Sequence, residues 1–189
     1  MPLHAGHRRL SLLEAVVGVL RERGIPHAVI GAAALAFHGV ARSTGDLDLL
    51  AVHGACLDAV TWRPIAERGY GVTVRTGDES DPLAGVARFD GEGEAPVDLV
   101  VGKSAWQAEI LTRAEPARLL GVRVPIVRSA DLILLKLYAG GPQDLWDIAQ
   151  ILSGEGRERD VDAVGAALPA LPAECRSLWQ RILAETTPG

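Results

Sequence analysis

The sequence predicts an α/β half of mixed α+β character over residues 1–128, followed by a helical half over residues 129–189. Three observations carry this. Helical periodicity and short apolar β runs alternate up to about residue 128. From Ser129 onward only the helical pattern continues, cut into pieces by Gly and Pro. No repeat or low-complexity tract interrupts either half, and 189 residues suffice for one solid domain with a small helical appendix.

The first element is a helix capped by Ser11 and running to about Arg23. Leu12, Leu13, Val16, Val17 and Leu20 form one stripe, Glu14 and Arg21 lie opposite, and Gly24 and Pro26 end it. The N-terminus begins basic and turns apolar as a signal peptide does. Glu14 interrupts the apolar part and no small-residue cleavage site follows, so an amphipathic helix is the better reading. HAVIG, from His27, is a short β run, and Gly31 to about Gly39 is Ala-rich enough for a helix starting at the strand end. DLDLLAV, from Asp46, is the next strand. Leu57 to Arg68 reads as a helix closed by Gly69, and YGVTVRT as a strand. Gly77 to Asp81 is a loop. A hairpin follows, with strands near Val86 to Phe89 and Val97 to Val101. Ser104 caps a helix through about Arg113, and LLGVRVPIV gives a short β pair. The helical half comprises Asp131 to Ala139, Asp144 to Leu152, and one or two helices ending near Glu185. Gly140-Gly141-Pro142 separates the first two pieces.

Composition excludes several classes. A 48% hydrophobic, 23% charged chain is not disordered, and no apolar run reaches the roughly 18 residues of a membrane helix. The net charge of −5 argues against broad nonspecific binding of nucleic acid. Arg113, Arg118, Arg123 and Arg128 fall close together, as a solvated surface or a local basic groove. Cys56 and Cys175 are too few and too far apart for a disulfide framework or a thiolate metal site. A cytoplasmic location is expected, with no membrane partner.

Two carboxylates in an apolar strand need a reason. Alternate side chains of a strand share a face, so Asp46 and Asp48 point together. Like charges so close repel unless a cation lies between them. Asp98, in PVDLVV, lies in a second apolar strand that can run beside the first. Three carboxylates on adjacent strands would hold one or two Mg²⁺ ions, which suit an all-oxygen ligand set better than Zn²⁺ does. Acidic residues at strand edges or ends are the structural alternative. The Gly31-Ala32 turn between strand and helix favours chemistry, because free N–H groups at a helix start bind phosphate.

Gly31-Ala32, thirteen intervening residues and then Asp46-Leu47-Asp48 resembles the signature of the DNA polymerase beta-like nucleotidyltransferase superfamily. The fuller string AFHGVARSTGDLDLL is similar to the AbiEii group, toxins of abortive-infection and type IV toxin–antitoxin systems. Lys136 on one helix, with Asp144 and Asp147 on the next, occupies the places of that group's later motif. The resemblance spans about Ile30 to Leu152, and residues 153–189 carry no motif. It implies a short mixed sheet flanked by helices, with the helical half closing over the nucleotide. It implies Asp46 and Asp48 holding two Mg²⁺ ions, with Asp98 holding one and helping to deprotonate the acceptor hydroxyl. Gly31, Ala32, Arg42, Thr44 and Lys136 would bind the NTP, and Asp144 and Asp147 would position Lys136 or bind the acceptor. The turn departs from the pattern in having Ala32, which offers no hydroxyl. Gln143 stands where a basic residue is common.

The leading functional expectation is Mg²⁺-dependent transfer of an NMP to RNA, such as tRNA, or to a protein. The chain would then be a toxin partnered by an antitoxin. Transfer to a small hydroxylated compound such as an aminoglycoside is the second reading, and suits an acidic protein. A non-catalytic nucleotide-binding module is the third. His38 reads as a packing or hydrogen-bonding residue, Trp106, Trp146 and Trp179 as core or interface residues, and both cysteines as inert.

Overall fold

The structure is a computed structural model that describes residues 10–42 and 45–186. Helix α1, Leu12–Glu22, starts where the Ser11 side chain accepts from the Glu14 N–H, and it buries its leucine and valine stripe. Strand β1, His27–Val29, leads into helix α2, Gly31–Phe37, and then strand β2, Leu47–Ala51. β2 begins one residue later than the sequence pattern suggests, so Asp46 sits in the bend before the strand.

The helix expected over Leu57 to Arg68 is broken. Two 3₁₀ turns, Gly54–Leu57 and Ala59–Trp62, precede a short helix α3, Arg63–Ala66. Asp58 is extended and its carboxylate accepts from the Val60 N–H at 2.9 Å, which restarts the chain as a new turn. Pro64, lacking an N–H, then fits only a first helical turn. Strands β3 (Gly71–Thr76), β4 (Gly85–Asp90) and β5 (Val97–Val101) follow, then helix α4 (Ala105–Arg113) and the pair β6 (Glu115–Leu119) and β7 (Val122–Ile126). Helices α5 (Ser129–Ala139), α6 (Pro142–Leu152), α7 (Arg157–Ala167) and α8 (Ala173–Thr186) complete the described chain. Gly140, left-handed at φ 67°, ends α5, and Pro142 opens α6.

The seven strands form one mixed sheet in the order β3-β4-β5-β2-β1-β7-β6. β2 runs parallel to β5, and β1 to β7, while the other neighbours are antiparallel. One face is closed by apolar residues: Leu49, Val97, Leu99, Ala87 and Phe89 are fully buried. On the opposite face of β4 and β5, Arg88, Asp98 and Val100 are only half-buried. The buried apolar residues, from Leu12 to Ile182, make one core that includes α5, α6 and α8. No described helix is long and apolar enough to cross a membrane.

The residues read as structural pack as expected, Trp146 excepted. His38 Nε2 lies 2.8 Å from the Val127 carbonyl, and Trp106 and Trp179 are buried, whereas Trp146 is half exposed. Both cysteines are buried, and burial raises their thiol pKa values, Cys56 to about 11. Arg113 pairs with Asp131, Arg128 with Glu115, and Arg118 donates to the Gly121 carbonyl.

Candidate active site

Register decides which carboxylates meet. In the parallel β2–β5 pair Asp48 lies opposite Asp98, and in the antiparallel β4–β5 pair Arg88 lies opposite the same Asp98. Residues opposite one another project to the same face. Asp48, Asp98 and Arg88 therefore share one patch, which Asp46 joins from the bend: a single Arg88 nitrogen, Nη1, is 2.8 Å from Asp98 Oδ2 and 3.2 Å from Asp46 Oδ2. Arg88 Nε also reaches Asp90 at 3.3 Å.

The glycine turn is built against this patch. The Ile30 N–H donates to the Asp48 carbonyl at 2.9 Å, and Gly31 begins α2 with φ 63°. A Cβ on Gly31 would stand 2.1 Å from Asp48 Oδ2 and 2.8 Å from its Cγ. Glycine is thus required here by the Asp48 carboxylate as much as by any phosphate: the turn and the acidic strand are one unit. Gly31→Ala is expected to destabilise the fold by about 1–2 kcal/mol, from the left-handed φ and the displaced Asp48. It should also weaken binding of NTP with Mg²⁺ at least roughly tenfold. Urea denaturation and calorimetry would check the two effects.

Burial comes first among the causes that raise the Asp48 pKa to about 6. The charges of Asp98 and Asp46 add to it, and Lys136 and Arg42 oppose it. The Asp98 pKa is also raised, chiefly by burial, against the lowering effect of Arg88. Asp98 Oδ1 is buried without a hydrogen-bond partner among the described residues. An all-oxygen set of mutually repelling carboxylates with an orphaned oxygen fits a hard divalent cation. Among the described residues no three His, Cys, Asp or Glu side chains already stand as a closed ligand group, and Arg88 is the cation that Asp46 and Asp98 share.

Beside Asp48 lies a second network. Asp147 of α6, fully buried, accepts from Lys136 Nζ of α5 at 2.5 Å, from Arg42 Nη1, and from Gln143 Nε2 at 3.3 Å. Lys136 also pairs with Asp144 at 3.1 Å. The sequence motif Lys136, Asp144, Asp147 thus closes into one cluster that ties α5 to α6 and reaches Arg42. Ala32 is buried in the first turn of α2. Thr44 lies outside the described residues.

On the other side of Asp98 the sheet face opens into a cleft of about 460 Å³, lined by Thr73, Arg75, Val86, Arg88 and Asp98 and walled by the 77–85 segment. Lys103 Nζ holds that wall through the Asp78 and Glu79 carbonyls at 3.4 and 3.1 Å, and the Tyr138 hydroxyl donates to the Pro82 carbonyl at 3.1 Å. Sequence reasoning singled out neither Arg88 nor this cleft. The signal for Arg88 was the hairpin itself: its alternation and loop length set which β4 residue faces Asp98.

A family model described as "Nucleotidyl transferase of unknown function (DUF2204)" matches residues 9–183. The chain belongs to this family. It is a nucleotidyltransferase, which sets aside the reading as a non-catalytic module. No curated protein matches it in sequence. Among solved structures it is similar to the solution structure of the antibiotic-resistance factor ANT(2'')-Ia, at 16% identity and a TM-score of 0.55, over 92% of this chain and 94% of that one. The crystal structure of ANT(2")-Ia with adenylyl-2"-tobramycin matches at 17% identity and a TM-score of 0.55, over 84% and 95% of the two chains. An antigenic nucleotidyltransferase-like protein from Paracoccidioides brasiliensis matches at 15% identity and a TM-score of 0.47, over 92% and 87%. The two ANT(2'')-Ia likenesses establish the nucleotidyltransferase fold, a mixed sheet flanked by helices.

Proposed function

We propose that this nucleotidyltransferase moves a nucleoside monophosphate from a Mg²⁺-bound NTP to the hydroxyl of an acceptor entering the cleft beside Asp98. The observation that carries this reading is the shared patch of Asp46, Asp48 and Asp98 against the Gly31 turn. The acceptor oxygen would bond to the α-phosphorus as the bond to the β-phosphate oxygen breaks and pyrophosphate leaves. Asp98, with its raised pKa and a place on the cleft wall, is suited to take the hydroxyl proton. Magnesium held by Asp46, Asp48 and Asp98 would supply charge stabilisation at the phosphoryl oxygens. Arg42, partly exposed beside the buried Asp147, and Lys136 behind it would bias the nucleotide side toward the triphosphate.

A cleft of about 460 Å³ has the size of a small-molecule site, which favours a small hydroxylated acceptor. The fold neighbour seen with adenylyl-2"-tobramycin agrees with that choice. The second reading is nucleotidylation of tRNA, other RNA or a protein by an AbiEii-like toxin with an antitoxin partner. It rests on RSTGDLD and on Lys136, Asp144 and Asp147 standing in that group's places.

The test is incubation with each α-labelled NTP, Mg²⁺ and either total tRNA or a panel of aminoglycosides, beside an Asp46→Ala/Asp48→Ala control. Label on the small compounds that disappears in the control supports the first reading. Label only in tRNA selects the second. Failure of calorimetry to detect any NTP binding with Mg²⁺ overturns both.

A further inference from the structure

We propose that Arg88 is a positioning residue that acts as an internal counter-cation, competing with a divalent ion for Asp46 and Asp98. This rests on the reading of those carboxylates as metal ligands. One nitrogen, Nη1, donates to oxygens of two different carboxylates, at 2.8 and 3.2 Å, and so occupies the point from which a cation would bridge them. A guanidinium at that point and a divalent ion bridging the same two Oδ2 atoms exclude one another, and an ion taken up by the neighbouring Asp98 Oδ1 alone would still be repelled by the arginine charge. Arg88 is not placed there by chance of a surface rotamer. Its Cα is fixed opposite Asp98 in the β4–β5 register, and its Nε is tied to Asp90 at 3.3 Å on the same face of β4.

The side chain is also free to yield. It is 40% exposed and borders the open cleft, so it can swing away from Asp46 and Asp98 without backbone movement. Asp90, two residues along and half exposed, offers it a carboxylate after it moves. Arg88 thereby holds together charges that would otherwise push apart, and it weakens the hold of those oxygens on a bare ion. An ion arriving with a nucleotide brings phosphate ligands and negative charge of its own, and it meets that competition at an advantage.

The experiment is Mn²⁺ binding to the full chain, read by electron paramagnetic resonance of the free ion, for the natural protein, Arg88→Ala, Arg88→Met and Arg88→Lys. Arg88→Ala and Arg88→Met should bind Mn²⁺ roughly tenfold more tightly, once a unit positive charge is taken from beside the ligands in a partly screened site. Arg88→Lys, which keeps the charge, should stay near the natural affinity. Arg88→Met keeps the length of the side chain and serves if Arg88→Ala does not fold. A merely structural role for Arg88 would leave affinity unchanged or lower it, and that result in both neutral variants overturns the proposal while leaving the metal reading standing. Absence of Mn²⁺ binding in every form, with Asp46→Ala no different, overturns the metal reading and the Arg88 role together.

Discussion

Asp48→Asn is expected to lower nucleotidyl transfer by about a thousandfold or more, and at the same time to stabilise the metal-free protein at alkaline pH. The loss of activity follows from position: Asp48 is the carboxylate packed onto Gly31, between Asp98 across the β2–β5 ladder and the Arg42 and Lys136 charges. The gain in stability follows from the same position. Burial and the neighbouring carboxylates raise its pKa from 3.8 to about 6, so the folded protein binds that proton more tightly than the unfolded chain does. The stability this contributes is fully present below pH 3.8 and is lost as pH rises through about 6. Above that, the charged form costs about 1–2 kcal/mol once screening of the half-buried group is allowed for. Asparagine carries no such charge. Thermal melts in EDTA should therefore show Asp48→Asn about 3–6 °C above the natural protein at pH 8, with the gap closing by pH 4. A variant that melts lower at pH 8 would contradict the account.

The trade-off explains why this part of the sequence was readable. Carboxylates within an apolar strand are costly to fold, so Asp48 and Asp98, with Asp46 in the adjoining bend, stand out in the sequence as candidates for chemistry. Gly31 was legible for a related reason, though its partner was not: the sequence suggests a phosphate, and the structure puts the Asp48 side chain against it. The elements with clear periodicity, such as the Leu12–Glu22 helix and the Val97–Val101 strand, fall where apolar spacing places them. Leu57 to Arg68 misleads because its spacing is helical while Asp58 and Pro64 supply local hydrogen bonding and sterics that override it. Arg88 stayed hidden for a different reason. An arginine on a half-exposed strand is ordinary until register puts it opposite Asp98, and register is a property of two strands at once.

The buried end of the site gives the second large effect. Asp147→Asn is expected to destabilise the protein by about 2–3 kcal/mol, because the buried Lys136 loses one of its two carboxylates and the partly exposed Arg42 loses the carboxylate it pairs with. Asp147 is fully buried and accepts from both Lys136, itself only 6% exposed, and Arg42. Removing its charge leaves Lys136 with Asp144 at 3.1 Å and leaves Arg42 without a carboxylate among the described residues. Lys136→Met should be milder, since Asp147 keeps Arg42 and the methionine fills a buried position with an apolar side chain. The double variant is the sharper measurement. With the lysine charge gone, asparagine at position 147 has one cation fewer to leave stranded, so Asp147→Asn/Lys136→Met should lose less stability than the two single changes added together. Urea denaturation of the four forms at pH 7 measures the coupling. Strict additivity, or an Asp147→Asn variant within roughly 0.5 kcal/mol of the natural protein, would mean that the α5–α6 junction does not depend on this cluster. Because the cluster also fixes Arg42, the same Asp147→Asn protein should bind NTP with Mg²⁺ more weakly even under conditions where it is fully folded, whereas a defect confined to stability would leave that affinity untouched.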